Sequence, residues 1–405
     1  MLTRRSSLVG GATLIAGARH VSAAPVATLR LGVLSDQSGP YRDNGGQGSL
    51  VCVQQAVADF IAHTPLSVEV VSADHGGKPD VGLAIARRWY DEGVDAILDF
   101  QNSAIALGGS ALAQERDKIA LPCNAATTEL TGRKCNANTI CWAYDTYMLA
   151  KVVGGALVRA GGSTWFFLTA DYAFGIALEA DTSRFVQAAG GRVLGSIKTP
   201  FPSTDFSSAL LTAQASGAKV IALANSSQDT VNSVKQAAEF QIAQSGTKIA
   251  TLLTLINDVH SLGLETAQGL VLATVFYWDL NDRARAFSAR VSPLMQGRKP
   301  AMGQAGCYGA TTHLLRAAAA MGVDQVNKSG REAVVWMKAH ETDDDAFGRC
   351  TIREDGRVLH TAYLCEVKKP QESKKPWDYY KVLATVPSDQ AWRPLADGAC
   401  PLVTH

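Results

Sequence analysis

Asn102-Ser103 stands directly behind the apolar run Ala96–Phe100 and opens an alanine-rich stretch that lasts to Glu115. A serine there is a good helix N-cap, and the N–H groups of the helix start beyond it favour an anion such as a carboxylate. Behind the next apolar run, Ile119–Pro122, comes Ala125-Ala126-Thr127. The Thr127 hydroxyl can serve a ligand or, reaching towards Glu129, cap a short helix. Tyr41 follows Pro40 and precedes Gly45-Gly46-Gln47-Gly48. A tyrosine in such a loop is hard to bury without a partner, which favours a cleft. Asn225-Ser226-Ser227 closes the run Val220–Ala224, and Asp258 follows Lys248–Thr254. Asp258 is the acid able to pair with a ligand ammonium, because a buried cation needs a carboxylate. His260 beside it reads as structural. In Phe276-Tyr277-Trp278, strand alternation sends one or two rings into a cleft and the rest into the core, and Tyr277 is the favoured one. This is a chemistry of capture. Enzymatic signatures are missing: there is no nucleophile elbow, no glycine-rich phosphate loop, no HExxH and no dinucleotide fingerprint. No CxxC spacing supports zinc, and no cofactor is expected.

These residues need a frame that brings loop after loop to one place. Strand candidates are Leu29–Leu34, Ser67–Ser72, Ala96–Phe100, Ile119–Pro122, Thr164–Thr169, Arg192–Ile197, Val220–Ala224, Lys248–Thr254 and Leu270–Phe276, most of them short apolar runs with the pattern of parallel strands buried on both faces. Helical patterns separate them: Ser49–Ala62, Pro79–Glu92, Ser103–Glu115, Tyr147–Ala160, Phe174–Ala189, Phe206–Ser216, Ser227–Gln241 and Ser261–Gln268. Such alternation predicts an α/β fold of right-handed βαβ units in two successive sets. A helix-rich stretch, Asp282–Ala339, follows. Phe347–Arg353 and Arg357–Val367 then alternate around an Asp355-Gly356 hairpin turn, and Trp377–Ala384 reads as a further strand of an antiparallel tail that completes the second set.

With 405 residues, 47% hydrophobic and 19% charged, the chain can bury two cores. Arg4 and Arg5, the apolar stretch Leu8–Ala16 and Val21-Ser22-Ala23 predict a cleavable export signal over 1–23, of either the general or the twin-arginine type, and hence a periplasmic protein. Without Arg4, Arg5 and Arg19 the formal net charge falls from +1 to −2, and no basic stripe suggests nucleic acid. An oxidising compartment permits disulfides among the eight cysteines. Cys135 and Cys141 bracket a polar loop, and Cys350 and Cys365 lie on two arms of one hairpin, so these are the expected pairs.

The segments Gly32-Val-Leu-Ser-Asp-Gln-Ser-Gly-Pro-Tyr41 with Gly45–Gly48, Ala56-Val-Ala-Asp-Phe60, Ala125-Ala-Thr-Thr-Glu-Leu-Thr131, Asp171-Tyr-Ala-Phe-Gly175 and Phe276-Tyr-Trp278 stand in an order that resembles one family. It is that of type I periplasmic solute-binding proteins of ABC importers, the branched-chain amino-acid-binding kind, and the likeness covers essentially the whole chain behind the signal. It implies two Rossmann-like lobes with parallel central sheets, joined by a three-crossover hinge: 24–143 plus 278–345, and 144–277 plus 346–405. It also implies that the Asn102-Ser103 turn grips the ligand carboxylate together with Ala125 and Thr127, and that Tyr41 is a lid. Phe174, or alternatively Tyr172, would face the ligand from the second lobe beside Asn225 and Ser226. The sequence departs from leucine-type binders at Asn225-Ser226-Ser227, where those carry tyrosines. The expected ligand is an amino acid if Asp258 faces the cleft, and an aromatic or aliphatic acid otherwise. The expected partner is an inner-membrane ABC permease, with the chain acting as a monomer. A sensor of the same fold, passing ligand occupancy to a signalling protein, is the alternative.

Overall fold

The computed structural model describes residues 27–404, so the expected export signal lies outside the described residues. The first lobe opens with β1 (Thr28–Ser35), α1 (Gly46–Ile61), β2 (Ser67–Asp74), α2 (Pro79–Asp91), β3 (Ala96–Asp99), α3 (Ser103–Glu115) and β4 (Ile119–Pro122). Its strands run parallel in the order β2-β1-β3-β4. Every residue of β3 and β4 is buried, as the unbroken apolar runs demand when helices cover both faces of a sheet. Gly32 lets α2 approach, because a Cβ there would lie 2.6 Å from the Trp89 ring.

The second lobe repeats the plan. After α4 (Thr146–Leu149), a single π turn (Ala150–Gly154) and α5 (Gly155–Arg159) come β5 (Thr164–Ala170), α6 (Ala173–Ala188), β6 (Arg192–Thr199), α7 (Ser207–Ala215), β7 (Val220–Ala224), α8 (Gln228–Glu239) and β8 (Lys248–Thr251). The parallel order is β6-β5-β7-β8. Next are α9 (Ile256–Leu262), α10 (Leu264–Ala267) and β9 (Val271–Thr274). Helix α9 corrects the expected start of that helical stretch at Ser261. It begins five residues earlier, with Asp258 already inside it.

From β9 the chain returns to the first lobe. There α11 (Asp282–Val291), α12 (Met302–Met321), α13 (Val323–Lys328) and α14 (Gly330–Ala339) pack, with α12 lying along α1 and touching β3. The antiparallel strands β10 (Thr342–Asp344), β11 (Gly348–Ile352) and β12 (Val358–Leu359) lean on α12 and α14, around the expected turn at Gly356. The chain then crosses back, and β13 (Ala362–Val367) pairs antiparallel with β9 and with β14 (Tyr380–Val386). The sheets are thus linked by three passages of the chain, near 141–146, 275–281 and 359–362.

The end of the chain overturns the expected disulfides. Beyond α15 (Ser388–Ala391) the tail crosses once more to the first lobe, where Cys400 bonds Cys135 across 265 residues of sequence. Cys141, Cys350 and Cys365 are free and buried, and the Cys350 thiol meets His360 Nδ1 at 3.1 Å. The expected pairs fail because Cys141 enters a crossover that pairs with Arg357, while the tail delivers Cys400 to the polar loop of Cys135. Arg393 reinforces this docking by donating to the Thr128 carbonyl at 3.0 Å.

Candidate ligand-binding site

In open α/β sheets the crevice beyond the carboxyl ends of the strands is where ligands bind. Here two such crevices face each other around a narrow pocket with a cavity volume of about 20 Å³. From the first lobe, the β1–α1 loop contributes Tyr41 and Asn44, the β3–α3 turn Gln101 and Ser103, and the segment behind β4 Asn124 and Ala126. From the second lobe, the β5–α6 turn supplies Tyr172 and Phe174, the β7–α8 turn Ser226 and Ser227, and the β8–α9 turn Leu253 and Leu255. Tyr144 enters from the first crossover.

Local chemistry shapes each loop. The Asp36 carboxylate accepts the Gly39 N–H at 2.7 Å and the Tyr41 N–H at 2.9 Å, folding the first loop so that Tyr41 turns back over the strand end. Gln101 ties this loop to the β3 turn: its Nε2 donates to the Tyr41 carbonyl at 2.6 Å and its Oε1 accepts from Asp36 and Gly46. Asn102 caps α3 by accepting the N–H groups of Ala104 and Ile105. Two successive residues before that turn, Asp99 and Phe100, have φ of 77° and 49°, and Ser227 opposite has φ of 54°. Left-handed backbone at non-glycine residues costs of order 1–3 kcal/mol each and gathers at ligand clamps.

The lobes are in contact across the cleft. The Tyr41 and Tyr172 hydroxyls share a hydrogen bond, and Phe201 stacks on both rings, with centroids 5.0 Å and 4.7 Å away. The Asn44 amide donates to Ser227 Oγ at 2.8 Å and to Asp258 Oδ1 at 2.6 Å. Asn257 donates to the Asp43 carbonyl at 2.9 Å.

No charged side chain lines the pocket, yet carboxylates stand one bond behind its wall. Asp258 also accepts the Leu255 N–H at 2.8 Å, and Asp99 accepts the Asn124 amide at 2.6 Å. Burial is the largest influence on both and pushes each up to about 7, against the hydrogen bonds that favour ionisation. Asp229, near Tyr41 and Tyr172, is raised to about 7 for the same reason.

Of the residues expected from sequence, Tyr41, Ser103, Tyr172, Phe174 and Ser226 line this pocket. The others are placed elsewhere. Asn102 is occupied as the cap of α3, Thr127 caps the short turn Thr128–Thr131, and Ala125 packs in the core behind the first sheet. Asn225 bonds Thr230 and Ser233 within its own lobe. Asp258 does not line the pocket and reaches it through Asn44 and Leu255, which do. The Tyr277 hydroxyl donates to the Trp377 carbonyl at 3.2 Å and its ring packs on Tyr380. Asn44, Gln101, Asn124, Ala126, Tyr144, Ser227, Leu253 and Leu255 line the pocket without having been expected there. The Asn44-Gly45-Gly46 turn between strand and helix was a usable signal for the first of them. Among the described residues no group of histidine, cysteine or carboxylate side chains could hold a metal ion, and no helix is long and apolar enough to cross a membrane.

Residues 28–374 match the family described as periplasmic binding protein. A periplasmic binding protein from Burkholderia mallei is 44% identical, with a TM-score of 0.89 over 93% of this chain and 100% of that one. A branched-chain amino acid ABC transporter periplasmic ligand-binding protein from Burkholderia xenovorans is 38% identical, with a TM-score of 0.80 over 92% and 99%. At 20% identity, a solute-binding protein of an ABC transporter from R. palustris in complex with benzoate shares the fold, with a TM-score of 0.78 over 89% and 97%. No curated protein matches the chain in sequence.

Proposed function

We propose that this chain, which belongs to the periplasmic binding protein family, captures a small organic carboxylate between its lobes and hands it to a membrane permease. The family serves ABC transporters as solute-binding proteins, so the chain is a periplasmic carrier of a small molecule and not an enzyme. Export through a cleavable signal, by the twin-arginine or the general route, and action as a monomer belong to the same proposal.

One observation carries the ligand class: the pocket has hydroxyls, amides and four aromatic rings but no ionised wall. A carboxylate fits at Ser103, whose Oγ accepts the Thr127 N–H at 3.3 Å and keeps its own O–H to donate, at a helix start where Asn102 already holds the Ala104 and Ile105 N–H groups. The rings of Tyr41, Tyr144, Tyr172 and Phe174 suit a compact apolar body. Asp258 is engaged by Asn44 and Leu255, which favours an acid without an obligatory ammonium, aromatic or aliphatic. A protein of the same fold is described with benzoate. An amino acid is the second reading, favoured by the position of Asp258 one hydrogen bond behind Asn44. Ligand that touches both lobes stabilises the closed arrangement in proportion to its extra affinity for it.

A thermal-shift panel of aromatic acids, aliphatic acids and amino acids tests this. A ligand at a hundred times its Kd adds about 2.7 kcal/mol and raises the melting temperature by several degrees. A chain that responds to no carboxylate in the panel contradicts the proposal.

A further inference from the structure

We propose that Asn44 presents its side-chain carbonyl to the ligand, so that the preferred ligand is a carboxylate bearing a hydrogen-bond donor, either a hydroxyl or an amino group. This rests on the reading of the cleft as a carboxylate site.

Three amide side chains line the pocket, and they differ in what holds them. Both ends of Gln101 are bonded to the first loop. Asn124 donates to Asp99, and its oxygen, although also without a partner, is pressed against α12 rather than held from the second lobe: a Cβ built on Gly303 would sit 1.6 Å from it. Asn44 differs. It is 1% exposed, its Nδ2 serves the two acceptors Ser227 Oγ and Asp258 Oδ1 in the second lobe, and its Oδ1 has no partner. The orientation is forced from outside the pocket. Asp258 holds the Leu255 N–H with its other oxygen, so above about pH 7, where it is ionised, Asp258 accepts from Asn44 and fixes the nitrogen edge of the amide towards the second lobe. The carbonyl is then the edge left for the ligand. A buried acceptor without a partner is penalised, and a ligand donor removes that penalty while a ligand without one leaves it in place. Asp258 is in this sense a positioning residue that acts through Asn44.

The test is calorimetric titration of the full-length protein with matched acids: benzoate against its meta- and para-hydroxy derivatives and their methyl ethers, and leucine against its deamino counterpart isocaproate. The wild type is expected to bind the best donor-bearing acid about tenfold or more tightly than its donor-free partner, and which pair shows it separates hydroxyl from amino recognition. Asn44→Leu should erase that preference. Asn44 also bridges the lobes, so Asp258→Asn provides a second reading that leaves Asn44 in place. With Leu255 N–H holding its oxygen, the new amide turns its nitrogen to Asn44, Asn44 reverses, and the preference should shift towards the methyl ether or the donor-free acid. Equal binding within every pair, or a donor preference unchanged in both variants, overturns the inference while leaving the carboxylate reading intact. Failure of all the acids to bind contradicts both.

Discussion

Ser103 and Thr127 illustrate what residue types alone disclose. Both were marked as hydroxyls behind buried strands; Ser103 lines the pocket, whereas Thr127 spends its hydroxyl on Glu129 N–H and offers its own N–H to Ser103. Which of two hydroxyls faces a ligand depends on backbone angles that the types do not encode. The left-handed geometry at Asp99, Phe100 and Ser227 is the clearest case, because none of these is a residue that seeks it as glycine does. Ser103→Ala should weaken carboxylate binding about tenfold or more, since a hydrogen bond to a charged group contributes about 1.5–3 kcal/mol; titration calorimetry reads it, and unchanged affinity would place the anion elsewhere. Tyr172→Phe removes one partner of the hydroxyl pair that joins the lobes and should raise Kd several-fold while leaving the melting temperature of the free protein nearly unchanged.

At the scale of elements the alternation of apolar runs and helical patterns was legible almost throughout, down to α3 and β7, because strands buried on both faces leave unbroken apolar words. Helix α9 was missed at its start. Its capping is done by Asp258 inside the helix, which accepts Leu255 N–H, and the N-cap position itself is a leucine, with Thr254 standing one residue too early to mark the boundary. The disulfide was illegible for another reason: Cys135 and Cys400 meet only because the tail leaves β14 and crosses to the first lobe. Cys400→Ser should lower unfolding free energy by about 2–5 kcal/mol, and reductant should have the same effect on the wild type but none on the variant, as denaturant titration would reveal. Gly303 makes a prediction that couples element to site. It sits in the first turn of α12 against Asn124, so Gly303→Ala should displace that amide, break its bond to Asp99 and reduce both stability and ligand affinity. Circular dichroism melts and calorimetry would show a variant indistinguishable from wild type if α12 and Asn124 were not in contact.

Across the whole molecule, buried ionisable groups set the pH response, with two kinds acting in opposite senses. Burial holds His75 and His313 down to about 4 and His360 to about 3, so stability they contribute is lost as pH falls from about 6.5 towards those values. Asp99, Asp229 and Asp258 are raised to about 7, so the stability they contribute is complete at low pH and lost as pH rises through 7. Below 6.5 the two oppose each other; between 6.5 and 8 the carboxylates act alone. Unfolding free energy should therefore fall over that interval by about 1 kcal/mol per carboxylate, and Asp258→Asn should remove one share of the slope in denaturant titrations. The two-lobed plan itself was legible because the βαβ pattern occurs twice with a helix-rich stretch between its second set and its tail. The mutual approach of the lobes was not, since Asn44, Tyr172 and Phe201 meet their partners only through the hinge. That approach is the heart of the account, and small-angle X-ray scattering of the purified protein with and without its best-binding acid measures it directly. Saturating ligand should shrink the radius of gyration and yield a profile matching the closed arrangement described above; an identical profile in both states, under conditions where calorimetry shows full occupancy, would contradict capture by closure.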